Sequence, residues 1–105
     1  MPSTKKYLIY ILEQLSLLGN ISYRPMMSEY IVYYRGQVIG GIYDDRFLVK
    51  LIKPALALMP ETSRELPYPG AKEMLLVNSL EDKVFLRELF VAMYDELPEV
   101  KKRKR

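Results

Sequence analysis

The spacing of apolar residues changes near residue 20, from a helical period to alternation. Before that point, one apolar stripe has the i, i+3, i+4, i+7 spacing of a helix: Leu8, Ile11, Leu12, Leu15 and Leu18. Ser3 or Thr4 can cap the start of this helix, and Gly19 is the type of residue that ends one in a left-handed conformation. Lys5 and Lys6 oppose the helix dipole at its start. A further interaction must therefore fix this end, and docking of the apolar face is the simplest one.

Between Ile21 and Ile52 the period is two and residues of high strand propensity dominate, which predicts four consecutive antiparallel strands. Their expected bounds are about Ile21–Met27, Tyr30–Tyr34, Gln37–Tyr43 and Arg46–Leu51. Arg35-Gly36 supplies one hairpin corner, because glycine readily takes the positive φ that a tight turn requires. Asp44-Asp45 supplies the next corner, since aspartate tolerates left-handed geometry. Such short turns indicate a meander.

The rest of the chain alternates short elements with turn residues. A short helix is predicted over Pro54–Met59, and a proline-rich loop follows it. Residues 73–78 (EMLLVN) form a predicted fifth strand, and a long helix opens with a capping box of Ser79 and Asp82 and ends before Pro98. The predicted order α-β-β-β-β-α-β-α gives a two-layer α+β domain, an antiparallel sheet of about five strands flanked by helices. Residues 1–98 form this domain, and residues 99–105 form a basic tail expected to be disordered.

The composition limits the chemistry that this domain can perform. The length of 105 residues corresponds to one domain, and the absence of His and Cys excludes Ser-His-Asp and Cys-His catalysis and His- or Cys-ligated metals. A metal would need oxygen ligands, as Mg²⁺ and Ca²⁺ do, and no glycine-rich phosphate-binding motif is present. We therefore expect a protein that is not an enzyme and that uses no cofactor. With neither a recognisable signal peptide nor an apolar run of membrane-spanning length, the chain is expected in the cytoplasm.

The positive net charge of the chain comes from its last five residues. Lys101, Lys102, Arg103, Lys104 and Arg105 carry five of the 16 basic side chains, which leaves 11 basic against 13 acidic ones in the remainder. A terminal basic run is most often simply solvated, but it can also contact nucleic acid phosphates. Five phosphate contacts would give a log–log salt dependence of binding with a slope of about −4.5.

Residues 23–50, YRPMMSEYIVYYRGQVIGGIYDDRFLVK, resemble the signature block of the TfoX/Sxy competence-regulator family in its N-terminal domain. The positions that fit are Arg24, Met26, Tyr33, Gly36, Asp44, Asp45 and Lys50. Residues 67–98 also resemble the end of the short, single-domain members. The family's usual Phe-Gly-Gly is Met27-Ser28-Glu29 here, and these 105 residues contain no counterpart of the helical C-terminal domain of the two-domain members.

The resemblance implies a helix-flanked antiparallel sheet and non-enzymatic work in transcription regulation. In the two-domain members, this work is the promotion of competence-gene transcription together with the cyclic-AMP receptor protein. For a single N-terminal domain, the resemblance implies a protein partner in gene regulation whose identity is open.

Tyrosine and arginine side chains crowd the predicted sheet and suggest an interaction surface. Its candidate residues are Arg24, Tyr30, Tyr33, Tyr34 and Arg35. Tyrosine and arginine are enriched at protein interfaces, and an uncovered sheet face would suit a homodimer. The same residues, with the tail, could instead stack on and neutralise single-stranded nucleic acid. Tyrosine is also simply a good strand former that makes cross-strand pairs.

Two further pairs of residues have a structural and a functional interpretation. Asp44 and Asp45 could bind a divalent cation, but adjacent carboxylates on one turn diverge and such a cation needs several converging oxygens. We therefore predict a strand corner. Gly40 and Gly41 could leave a ligand slot, but a glycine in a strand often marks a close approach by another element, and we expect tight packing of a helix on the sheet.

Overall fold

The structure is a computed structural model that describes residues 4–27 and 29–97. Three helices and six strands lie within these residues. In chain order they are α1 (Lys5–Gln14), β1 (Ile21–Met26), β2 (Glu29–Tyr34), β3 (Gln37–Tyr43), β4 (Arg46–Lys50), α2 (Lys53–Leu58), β5 (Arg64–Glu65), β6 (Met74–Leu76) and α3 (Lys83–Tyr94). The predicted tail, with Lys101, Lys102, Arg103, Lys104 and Arg105, lies outside the described residues.

All six strands belong to one antiparallel sheet with the order β1-β2-β3-β4-β6-β5. The first four form the predicted meander. Arg35, Gly36, Asp44 and Asp45 all have positive φ, between 54° and 83°. Positive φ at both central positions is the mark of the type I′ turn, whose twist matches that of the flanking strands. Both predicted hairpin corners are confirmed.

The α+β fold class is confirmed, with one strand more than the sequence predicted. β5 lies inside the predicted proline-rich loop and pairs with β6, Arg64 opposite Leu75 and Glu65 opposite Met74. Two residues are too few to show a period of two in the sequence. The strand forms because β6 offers it a free edge.

The three helices cover one face of the sheet, called the helix face below. A single apolar core joins α1, α2 and α3 to alternate residues of the strands, and the rings of Phe47 and Phe90 meet near its centre at 6.0 Å. Helix α3 begins with Asp82 as its N-cap, whose carboxylate accepts a hydrogen bond from the Phe85 N–H at 3.0 Å. The capping box predicted from Ser79 is therefore wrong, and the helix starts one turn later. No helix within the described residues has the length and hydropathy needed to cross a membrane.

Helix α1 is fixed at its start by a residue from the β3–β4 turn. Thr4 is the N-cap and its hydroxyl accepts from the Tyr7 N–H, while the Thr4 N–H donates to Oδ1 of Asp45 at 2.8 Å. A carboxylate at this position offsets the unfavourable Lys5 and Lys6 in the first turn. The helix ends at Gln14, and Asn20 rather than Gly19 takes a left-handed φ, of 62°.

Gly40 and Gly41 are required by the sheet and not by helix packing. A Cβ on Gly40 would lie 2.8 Å from the Val49 Cα and nearer still to the Leu48 carbonyl oxygen. A Cβ on Gly41 would lie 2.6 Å from the Tyr43 ring. The expected close approach is present, but the predicted partner, a helix, is wrong. The neighbours are a strand backbone and an aromatic ring.

Candidate interaction surface

The sheet face opposite the helices, called the second face below, is covered over only half of its width. Residues 66–73, here named the proline loop, lie against β3 and β4. The ring of Tyr68 in this loop is 6.3 Å from the ring of Tyr43, and Pro67 is buried. Beneath the loop, Leu48 is 0% and Tyr43 7% exposed. This half of the second face therefore forms a small additional core.

Arg46 holds the proline loop in place. Its guanidinium lies 3.1 Å from the Glu65 carboxylate, donates to the Leu66 carbonyl at 3.2 Å and donates through Nε to the Tyr43 carbonyl at 3.2 Å. One side chain thus links β4 to β5 and to the first residue of the loop. A planar guanidinium can make all these bonds at once, which a lysine cannot.

A groove of about 710 Å³ runs between the proline loop and the strands below it. Val38, Tyr43, Lys50 and Tyr68 are among its lining residues. Burial lowers the pKa of Lys50 from its ordinary 10.5, and no ion pair to Lys50 occurs within the described part of the chain. Burial, followed by the nearby Tyr68 and Glu29, raises the pKa of Tyr43. The groove thus combines a mainly apolar lining with the half-buried Lys50, and the exposed Lys72 and Glu73 also line it.

The other half of the second face, on β1 and β2, carries no covering element within the described residues and is named the open half. The register pairs Ser22 with Tyr33 and Arg24 with Ile31, and Met26 follows on the same face. Ser22, Arg24 and Met26 are exposed, whereas Ile31 and Tyr33 are half-buried. Glu29 lies opposite Met26 on this face, beside the apolar side chains and Arg24. Aromatic, methionine and arginine side chains are enriched at protein interfaces.

The structure divides the five predicted interaction residues between three places. Arg24 and Tyr33 lie together on the open half. Tyr30 is half-buried on the helix face, where its ring meets that of Tyr23 at 5.9 Å. Arg35 lies in the β2–β3 turn, with its guanidinium 4.8 Å from the centre of the Tyr94 ring.

Tyr34 requires a correction, because it lies in the core and not on an accessible surface. It is 7% exposed and its ring packs against Phe90 and Tyr94 at 5.8 and 5.6 Å. Alternation along β2 places Tyr34 and Tyr33 on opposite faces. The sequence did not reveal which of them is buried, because both faces of this strand are apolar.

Asp44 and Asp45 form a turn with tertiary hydrogen bonds. The Asp44 N–H donates to Oε1 of Glu29 at 3.1 Å, and Asp45 binds the start of α1. Among the described residues, no group of three His, Cys, Asp or Glu side chains is placed to hold a metal ion. The predicted strand corner is confirmed, and the sequence did not predict its hydrogen bonds to Glu29 and Thr4.

The covered half and its groove were missed by the sequence interpretation. The available signal was the composition of the loop itself, because Leu66-Pro67-Tyr68-Pro69 is more apolar than a solvated loop requires. Such a segment suggests that a loop packs on something, but it does not say on which face.

Comparison with known proteins identifies no relative of this chain. No protein-family model matches the sequence, and neither the curated proteins nor the solved structures give a match. The TfoX/Sxy resemblance consequently stays a prediction that rests on the residues quoted for it.

Proposed function

We propose that this chain is a cytoplasmic, non-enzymatic regulatory or adaptor domain that acts by protein–protein contact, in transcription regulation of the competence type. The observation that supports a contact function is the open half. Arg24, Met26, Ile31 and Tyr33 form a mixed apolar and cationic surface, while the rest of the same face is covered by the proline loop. The TfoX/Sxy resemblance supplies the regulatory context.

Nucleic acid binding is the alternative function for the tail and the Arg/Tyr surface. The described residues offer it little support, because stacking of successive bases needs aromatic rings on one accessible platform. Tyr30 and Tyr34 lie on the helix face and Tyr33 on the second face. The contribution of Lys101–Arg105 stays a prediction.

The proposal is tested by capture of partners from the native host with the wild-type chain and two charge-reversal variants. Arg24→Glu changes the open half, whereas the matched control Arg87→Glu changes an exposed arginine on α3. We expect a transcription or signalling protein to bind the wild type and Arg87→Glu and to be lost with Arg24→Glu. The same variants, returned to a deletion strain, should restore or fail to restore gene expression accordingly. Equal capture by both variants, or no change in expression on deletion, would contradict the proposal.

A further inference from the structure

Strand β1 is an edge of the sheet, and its hydrogen-bonding pattern follows from the register. The Arg35 N–H donates to the Asn20 carbonyl at 2.9 Å, and these two residues directly extend the pairing of Ile21 with Tyr34. Hydrogen-bonded and non-hydrogen-bonded pairs alternate along an antiparallel ladder. Ser22 and Arg24 therefore bond to β2, while the backbone groups of Ile21, Tyr23 and Pro25 point away from the sheet.

Pro25 agrees with this assignment. Proline has no N–H, so within a sheet it is tolerated where the missing donor would face outward from an edge. The free hydrogen-bonding groups on the outward edge are then the N–H and C=O of Ile21, the N–H and C=O of Tyr23, and the C=O of Pro25. Tyr23 and Pro25 are exposed and Ile21 is half-buried, and no described strand pairs with this edge.

We propose that the β1 edge pairs with the β1 edge of a second copy of this chain, antiparallel and centred on Tyr23. A two-fold axis at this residue places Tyr23 opposite Tyr23 of the second copy, with two hydrogen bonds between them. Ile21 then lies opposite Pro25 of the other copy and donates its N–H to the Pro25 carbonyl. Four intermolecular backbone bonds result, and the missing proline donor removes only one possible bond on each side.

The side chains of β1 suit this symmetric arrangement. On the second face, Arg24 lies opposite Ser22 of the other copy, so the arginines are not directly paired with each other. On the helix face, the two Tyr23 rings, each 42% exposed and each already against Tyr30, become cross-strand neighbours. Aromatic cross-strand pairs stabilise sheets. These side chains therefore favour pairing of β1 with the β1 strand of a second copy of the chain.

Pairing at the edge does not rest on the proposed function, since it uses the backbone of β1 and not the open half. A contact of two six-residue strands is smaller than a standard interface, so the dimer is expected to dissociate on dilution.

The test is sedimentation velocity of the full chain over a range of concentrations, with Tyr23→Pro compared with Tyr23→Val. Both variants lose the ring, but only proline removes the outward N–H that makes the two central bonds. We expect the wild type and Tyr23→Val to associate reversibly. Tyr23→Pro should associate about 5- to 150-fold more weakly than Tyr23→Val, with an unchanged circular dichroism spectrum. A wild type that is monomeric at every concentration, or equal association of the two variants, overturns the proposal.

Amide hydrogen exchange of the wild type provides a second readout if Tyr23→Pro does not fold. The amides of Ser22 and Arg24 should be protected at all concentrations, because they bond within the sheet. The amides of Ile21 and Tyr23 should become protected only as the concentration rises. Exchange at Ile21 and Tyr23 that is independent of concentration overturns the proposal.

Discussion

The two halves of the second face are built on one sheet, yet they differ in what lies above them. On the covered half, Tyr43 and Leu48 are buried, and the proline loop held by Arg46 lies over this half. On the open half, Ile31 and Tyr33 keep contact with solvent. Ile31 and Leu48 lie in the same row of the sheet, separated only by Gly41. The two residues differ in the loop above them, which is distant in sequence, and in their place in the sheet, since Leu48 lies on an inner strand and Ile31 beside the edge strand β1.

The largest difference between the halves is expected from truncating these two aliphatic side chains. Leu48→Ala leaves a cavity under the loop and should lower the free energy of unfolding by about 2–5 kcal/mol. Ile31→Ala on the open half should lower it by about 1 kcal/mol, since its side chain is only half-buried. Urea unfolding of both variants measures the two losses. Equal losses would mean that the loop does not seal Leu48.

A smaller difference is expected from the two arginines of the same face. Arg46→Met removes the contacts to Glu65, Leu66 and Tyr43 and should cost about 1–2 kcal/mol, because the ion pair is partly exposed. Arg24→Met, the matched change on the open half, should stay within about 0.5 kcal/mol of the wild type.

Limited proteolysis adds a local readout to the Arg46→Met unfolding curve. The proline loop should be cleaved faster in Arg46→Met than in Arg24→Met. If the two variants are cleaved at the same rate, Arg46 does not hold the loop.

The smallest expected effect is a dependence of stability on alkaline pH. Burial raises the pKa of Tyr43 above its ordinary 10.0, so the folded chain holds the phenol proton more tightly than the unfolded chain does. The resulting contribution of Tyr43 to the free energy of unfolding is fully present below the pKa of tyrosine in the unfolded chain. It is lost as the pH rises through the higher pKa of Tyr43 in the folded chain. Tyr43→Phe should therefore reduce the fall in unfolding free energy above about pH 10. Tyr33→Phe serves as the open-half control, and an identical fall in both variants would contradict the expectation.

Residue patterns predicted the sheet better than they predicted what covers it. Alternation and turn residues located β1 to β4 and both type I′ corners, because these are local properties of the backbone. Strand β5 and the proline loop over the second face depend on contacts between segments that are distant in sequence. Such contacts leave no periodic pattern of apolar residues that could predict them. Of the five residues predicted for one surface, Arg24 and Tyr33 share a face, whereas Tyr30 and Tyr34 lie on the opposite face and Arg35 lies in a turn. The two tyrosines were misplaced because strand β2 is apolar on both faces.

The β3–β4 turn shows the same limit at the level of single residues. Its aspartates were predicted as a corner from their tolerance of positive φ. Their tertiary hydrogen bonds were not predictable, since Asp45 reaches Thr4 across 41 residues.

The hydrogen bond from Thr4 to Asp45 joins the start of α1 to a turn that is synthesised later. The segment of α1 is translated before the sheet, and a helix of ten residues is marginally stable in water by itself. The carboxylate that holds its first turn belongs to a hairpin that is made more than forty residues later. The hydrogen bond that anchors the start of α1 can therefore form only after the turn between β3 and β4 has been synthesised.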